Sequence, residues 1–377
     1  MALPTNKILL RSPYWITSTD ANLSYILVNL RVWLGELADE PADVTIKLKS
    51  TALNGTASVD ISELARDFVE VSFGTSVDEE ESNAVFVSSI LSSFYTDGSS
   101  STESKEYYLG FDGYGTFTDG ANYSFSSKIL MSTEIVRSYS DTNNRIPVLA
   151  SDVTSYTLQR RKNLAGSVTY PAINDANNNP ITVTVPSPVS TSDAVFYIDT
   201  SASGQYADRV EINTTGGTEY VYIEYQECNK YGYTPAYFVN RFGAMQQVHF
   251  TGRFNISMQS EDTKYTRNIL EGGTYNKFRH QQYVLSKNGK VSLEFNTGWI
   301  PEEENDTFLE LIMSEQVWLQ VDSSKFGVAF VPKQTNKYIL PVHLTTKNLD
   351  IKTGLNDKLI NYTFKFEAAN DWINSIR

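Results

Sequence analysis

Tyr222 to Phe250, YIEYQECNKYGYTPAYFVNRFGAMQQVHF, is the stretch whose reading decides the fold. An aromatic and β-branched run enters Cys228, passes Thr234-Pro235 and re-emerges as a second apolar run that ends in Asn240-Arg241-Phe242-Gly243. Such residues suit a pleated, half-buried surface, and the Gly, Pro and Asn between them suit turns. The stretch carries bulk and turn chemistry without a nucleophile–base arrangement. Tyr and Arg are enriched where proteins meet, so Tyr231, Tyr233, Tyr237, Arg241 and Phe242 are the candidate interface residues.

The same texture runs outward through the chain. With 377 residues, 41% hydrophobic, it can form two or three domains, each with its own core. The aromatic content, 23 Tyr, 19 Phe and 5 Trp, sits in alternating patterns. The expected fold is mainly β: two or three stacked β-sandwich-like domains with a few short helices. They are expected as an acidic amino-terminal domain over 1–160, a middle β domain over 161–245, and a carboxy-terminal β domain over 246–377 with one helix at about 302–314.

Strands are expected over Lys7–Leu10, Leu23–Leu34 and Val44–Lys49. Asn54-Gly55 is a two-residue hairpin signal, with Val59-Asp60-Ile61 resuming the partner strand and Ser62 capping a short helix to Phe68. Ala84–Tyr95 and Glu106–Phe111 form another expected pair. Gly110–Asn122, GFDGYGTFTDGAN, suits tight turns at positive φ, and TTGGT at Thr214–Thr218 a further turn. In the last third, Val248–Met258, Tyr283–Ser286, Lys290–Asn296, Gln316–Val321, Phe326–Val331, Tyr338–Thr345 and Leu359–Glu367 are expected strands. The expected helix opens on Pro301 and three glutamates and aligns Phe308, Leu309, Ile312 and Met313.

The net charge is −13, and residues 1–150 carry 10 Lys+Arg against 20 Asp+Glu. Such a chain repels phosphate backbones, so no nucleic acid is expected as a partner. Arg241 to Ile300 reverses the sign, with 8 basic and 4 acidic residues, and could dock against the acidic amino-terminal half of a neighbouring copy. No run approaches the roughly 20 apolar residues of a membrane span, and the opening MALPTNKILLRSPYW has no export-type apolar core. The single Cys228 excludes an internal disulfide.

No catalytic, cofactor-binding or metal residues are expected. His249, His280 and His343 stand in no HExxH or HxH pattern, and no GxSxG elbow or phosphate-cradling glycine loop occurs. Glu227 and Asn229 give Cys228 no positive neighbour to lower its pKa. Asp112 and Asp119 do not fit a calcium-loop spacing. Tyr107, Tyr108, Tyr114, Tyr231, Tyr233 and Tyr237 could offer rings to sugars, although Tyr in alternating strands more often packs.

Several segments look like a group of virion structural proteins of tailed phages, especially contractile-tailed phages of marine bacteria and of Bacteroidetes. Arg11-Ser12-Pro13-Tyr14-Trp15-Ile16, Val59 to Asp67, Phe111 to Gly115, Asp119 to Asn122 and Arg145-Ile146-Pro147-Val148 resemble that group in order. Tyr233-Thr234-Pro235 with Phe238 to Ala244, then Asn296 to Ile300, Met313 to Trp318 and Asn356 to Phe364, continue the match. The resemblance implies a virion component, of tail or baseplate rather than capsid shell, assembled in the host cytoplasm as a homo-oligomer among other tail or baseplate proteins. It transfers no ligand or catalytic residue. A receptor-binding or fibre-attachment protein recognising host surface glycan, and a capsid vertex or decoration protein, are the competing readings.

Overall fold

The computed structural model describes residues 3–69, 84–139, 144–164, 167–176, 178–202, 204–226, 232–322, 337–351 and 360–372. The protein is mainly β, and its residues divide into two compact units. The first takes Met1–Glu227, Tyr237–Val248 and Glu303–Ser314; the second takes Cys228–Ala236, His249–Glu302 and Glu315–Arg377.

The first unit opens with a sheet ordered Asn6–Leu9, Glu106–Phe111, Ala84–Tyr95, Leu23–Trp33 and Ile46–Thr51, with Ser100–Thr102 paired to Ala84–Tyr95. Alternation dictates its faces: Ile26, Val28 and Leu30 are buried, and Val28 lies opposite Leu91 and Leu48. These side chains share a core with Ala57, Val59 and Ile61, which arrive on or beside a second, two-stranded sheet of Trp15–Thr19 and Thr56–Asp60. The Asn54-Gly55 turn forms as its sequence demands, with φ of 53° and 77°. The strand that follows pairs with Trp15–Thr19, however, and not with Ile46–Thr51. Burying Ala57 and Val59 across the sandwich outweighs closing the local hairpin. In the short helix Ser62–Arg66, Asp60 rather than Ser62 supplies the acceptor, its Oδ1 taking bonds from Ser62 N at 2.9 Å and Ser62 Oγ at 2.7 Å.

A second sandwich in this unit joins a sheet ordered Thr182–Thr184, Val153–Gln159, Arg209–Thr214, Gly217–Gln226 and Ile135–Tyr139 to the pair Arg145–Leu149 and Val195–Asp199. Ile146, Val148 and Ile198 meet Leu158, Val210, Ile212 and Val221 in its core. A boundary at residue 160 would cut this sheet, because Val153–Gln159 and Ile135–Tyr139 hydrogen-bond to strands from the 209–226 region. A third cluster, with Trp33, Phe86, Phe111, Phe125, Leu149 and Phe242, contains side chains from both sandwiches, so no cleavage of the core falls between them.

Within that cluster two turns interlock. Tyr114 N donates to Arg241 O at 2.8 Å, and a Cβ on Gly113 would lie 2.3 Å from that oxygen. Gly243, at φ +79°, would set a Cβ 2.8 Å from Asp112 N. Gly113→Ala is therefore expected to lower stability by about 3 kcal/mol, the upper end of overpacking costs, read as a fall in Tm and in the urea midpoint.

The second unit is built on one sheet whose strands Val317–Asp322, Lys337–Leu344, Thr363–Ala368, Gln282–Asn296 and Asn255–Thr266 neighbour one another in that order. Phe250 is surrounded by Phe295, Phe364 and Phe366 with ring centroids 5.6–5.8 Å away. Reciprocal side-chain amide bonds between Asn296 and Asn361, of 2.6 and 2.8 Å, hold the ends of this core. The strand expected over Phe326–Val331 lies outside the described residues, as does Cys228.

The expected carboxy-terminal helix forms as a short 3-10 turn, Glu302–Glu304, followed by an α-helix, Asn305–Met313, but from Glu303 onward it belongs to the first unit. Its buried face also differs from the expected one. Phe308 and Leu311 are buried beside Glu304, Thr307 and Glu310, while Met313 is exposed. Three neighbouring glutamates in sequence hide which one turns inward.

Candidate functional site

The candidate residues of the Tyr222–Phe250 stretch separate once placed. Tyr231 lies outside the described residues. Tyr233 is half-buried, its ring edge against His249 at 5.6 Å. Tyr237 and Phe242 are each 7% exposed, and Phe242 packs edge-on against Phe125 at 5.6 Å. The Arg241 guanidinium bonds Asp119 Oδ2 at 3.2 Å and lies over the rings of Tyr123 and Phe242. Tyr237, Phe238, Phe242 and Phe250 of this stretch spend their rings on the chain's own interior.

The carboxylates of the glycine-rich turn are held by arginines: Asp112 by Arg66 Nε at 3.2 Å, Asp119 by Arg241. Bonds from the Thr116 hydroxyl and backbone N–H hold the Asp119 carboxyl below its ordinary range. Among the described residues no group of three or more His, Cys, Asp or Glu side chains converges. Nor is any helix among them long and apolar enough to cross a membrane.

Two carboxylates are buried in the first unit by the helix. Glu310 accepts the Ser132 hydroxyl and, at 3.3 Å, the Arg241 backbone N–H; burial still raises its pKa. Glu304 lies 3.3 Å from Arg137 Nε in a pair whose side chains are 9% and 6% exposed. Desolvation outweighs the guanidinium and, aided by Glu224 and Glu303, pushes Glu304 up to about 7 from an ordinary 4.5. The folded state thus binds the proton more tightly than the unfolded chain. The stability this contributes is complete below the unfolded value and is lost as pH rises through about 7. Urea midpoints measured between about pH 5 and pH 8 should fall with pH by the equivalent of about 1–3 kcal/mol, and Glu304→Gln should flatten that slope.

The feature that the sequence did not disclose is an arm in the second unit. Asn255–Thr266 pairs antiparallel with Gln282–Asn296 over twelve register positions, with a bulge at Thr263/Lys264. Among the described residues, only Ser292–Asn296 of the second strand pairs onward, with Thr363–Glu367. Beyond that point the ribbon runs on, and from Ser257 to Lys287 every side chain but Ile269, Arg279 and Tyr283 is exposed on both faces. Ten residues of strand carry it about 33 Å. A tight Glu271–Thr274 turn, with Gly272 and Gly273 at φ 58° and 84°, lies near its tip, pinned by an ion pair of Arg279 with Glu271.

The arm bears apolar groups that water does not favour. Met258, Leu270, Tyr275, Val284 and Leu285 are exposed, and Phe278 is 94% exposed. Tyr265 stacks on Tyr283 at 5.9 Å, with the Arg267 guanidinium over Tyr283 at 5.5 Å. Between Ser257 and Asn288 the chain places five Lys or Arg against three Asp or Glu. The arm is a basic, aromatic, two-stranded ribbon whose edges pair with no further strand among the described residues, a form of structure that is marginal alone and that adds readily to a partner. Strands were expected over Val248–Met258 and Tyr283–Ser286, but a strand signal reads alike for a strand in a sheet and for a projecting ribbon.

No family model matches the chain, and no curated protein matches it. Among solved structures it is similar to extracellular domains 3–5 of Drosophila OTK, at 8% identity over 78% of this chain and 91% of that one. The TM-score of that superposition is 0.18, which carries no argument for function.

Proposed function

We propose that the chain is a non-enzymatic virion structural protein of a tailed phage, a tail or baseplate component that acts through protein–protein interfaces in a symmetric assembly. The ordered sequence resemblance supports the setting, and the arm supports the mode of action. A ribbon exposed on both faces, with Phe278 near its tip and edges that meet no further strand among the described residues, gains free energy when a partner covers it. The occupant that fits is a second copy of this chain. The arm is basic, and residues 1–150 carry ten more acidic than basic groups, so association of copies is electrostatically favoured while each copy stays soluble. Head-to-tail contacts of this kind generate rings when the rotation closes.

A side-chain-resolution map of the intact particle tests the reading. Density for the Ser257–Lys287 arm clasped by a neighbouring copy in a tail or baseplate ring is the expected result. Finding the chain at a free distal tip, with the arm in solvent, would replace it with the receptor-binding reading.

A further inference from the structure

The outer face of the second sheet of the first unit holds a cleft of about 470 Å³. Its floor comes from Gly217–Gln226, where Val221 and Ile223 are buried and the alternate residues Tyr222 and Glu224 point the other way into the cleft. Tyr170, just beyond the small hairpin of Lys162–Leu164 and Ser167–Thr169, forms a wall and sets its ring edge-on to Tyr222 at 6.2 Å and 74°. The Arg209 guanidinium backs that wall, 4.1 Å from the Tyr170 centroid and 4.4 Å from that of Tyr220. Asp208 and Arg161 complete the lining, with the Asp208 carboxylate accepting the Arg161 backbone N–H at 2.6 Å. Tyr225 fixes the floor by donating its hydroxyl to Ala207 O at 2.9 Å.

Three ligand chemistries compete for such a lining, and charge decides among them. A cationic ligand in an aromatic cage needs a surplus of carboxylate, and an anion needs a surplus of guanidinium or ammonium. The lining itself holds Asp208 and Glu224 against Arg161, and the remaining charge is offset from just behind it by Arg209 over the Tyr170 ring and Arg160 beside Tyr225. What remains are tyrosine rings, on which apolar C–H faces stack, beside carboxylate acceptors and guanidinium donors that together match a hydroxyl, which is donor and acceptor at once. The volume falls within the roughly 300–1,000 Å³ of small-ligand sites. We infer that this cleft binds a neutral carbohydrate, one sugar ring lying against Tyr222 and Tyr170 with its hydroxyls shared between Glu224, Asp208 and Arg161. None of these residues was among the tyrosines the sequence offered for sugars. Of those, Tyr108 is buried, and Tyr107 donates its hydroxyl to Glu40 at 3.1 Å.

The test uses the full chain and a panel of neutral gluco-, manno-, galacto- and xylo-oligosaccharides, read by saturation-transfer NMR and titration calorimetry. Saturable binding of at least one member at up to millimolar concentration is expected. Tyr222→Ala and Glu224→Gln should each weaken it by about tenfold or more, with circular dichroism unchanged in the glutamine variant. Glu224 is exposed, so its variant folds even if the tyrosine variant does not. A variant lacking the arm should bind the same sugar, which separates this site from the assembly reading. Failure of every member to saturate, binding indifferent to both substitutions, or binding confined to acidic glycans or to amines would overturn the inference.

Discussion

Replacing Glu261–Asn288 by Asn-Gly is expected to leave a folded monomer that no longer associates. Ser260 and Gly289 are register partners, so a two-residue type I′ turn closes the shortened ribbon without disturbing the pairing below it. The removed side chains are almost all exposed, and the phenylalanine core around Phe250 is untouched. Light scattering should show self-association weakened by about two orders of magnitude or more, as when an interface loses its anchoring aromatic cluster. Thermal unfolding should be unchanged within about 1 kcal/mol. Phe278→Asp, a single change at a 94% exposed site, should move association the same way through desolvation of the introduced charge. Oligomers that persist at full strength in both variants would remove the arm from the assembly.

The second large effect is in the core of the second unit. Phe250→Ala should cost about 3–5 kcal/mol, the range for deleting a buried aromatic ring. Phe250 is 2% exposed and touches three rings, Phe295, Phe364 and Phe366, two of which stand on the strand Thr363–Ala368. A rigid cage of rings collapses poorly, so the cavity term adds to the lost transfer energy. Phe250→Leu should recover part of the loss. Denaturant midpoints with an unchanged m-value would confirm a packing effect, and a loss below about 1 kcal/mol would show that the site refills.

Where the sequence was informative, short-range chemistry was the reason. An apolar, β-branched run placed Leu23–Trp33, polar flanks set off Ala84–Tyr95, the Asn54-Gly55 pair set its own positive φ, and Pro301 with the acidic run marked the start of a helix. Partner choice was illegible, because nothing local tells Thr56–Asp60 to pair with Trp15–Thr19 instead of the strand before it. The dense aromatic stretch around Tyr237 and Phe242 signalled bulk correctly, but bulk alone does not say whether a ring faces a partner or the chain's own core. The arm and the tyrosine cleft were hidden for the opposite reason. Exposure of Phe278, and the meeting of Tyr170 with Tyr222, depend on which neighbours are absent or brought near by topology.

The helix Asn305–Met313 completes the first unit although its Glu310 stands 178 residues along the chain from Ser132, which it meets. On a ribosome, the early sandwiches would therefore emerge with Arg137 lacking Glu304, and Ser132 lacking Glu310, until the chain has been made past Ser314. The half-built protein must wait with Arg137 and Ser132 open to water and its first unit incomplete, the condition in which nascent chains aggregate or engage chaperones. Translation speed across the 250–300 region, which encodes the arm, thus sets how long that vulnerable interval lasts, so synonymous codon changes there should alter soluble yield without altering one residue of the product.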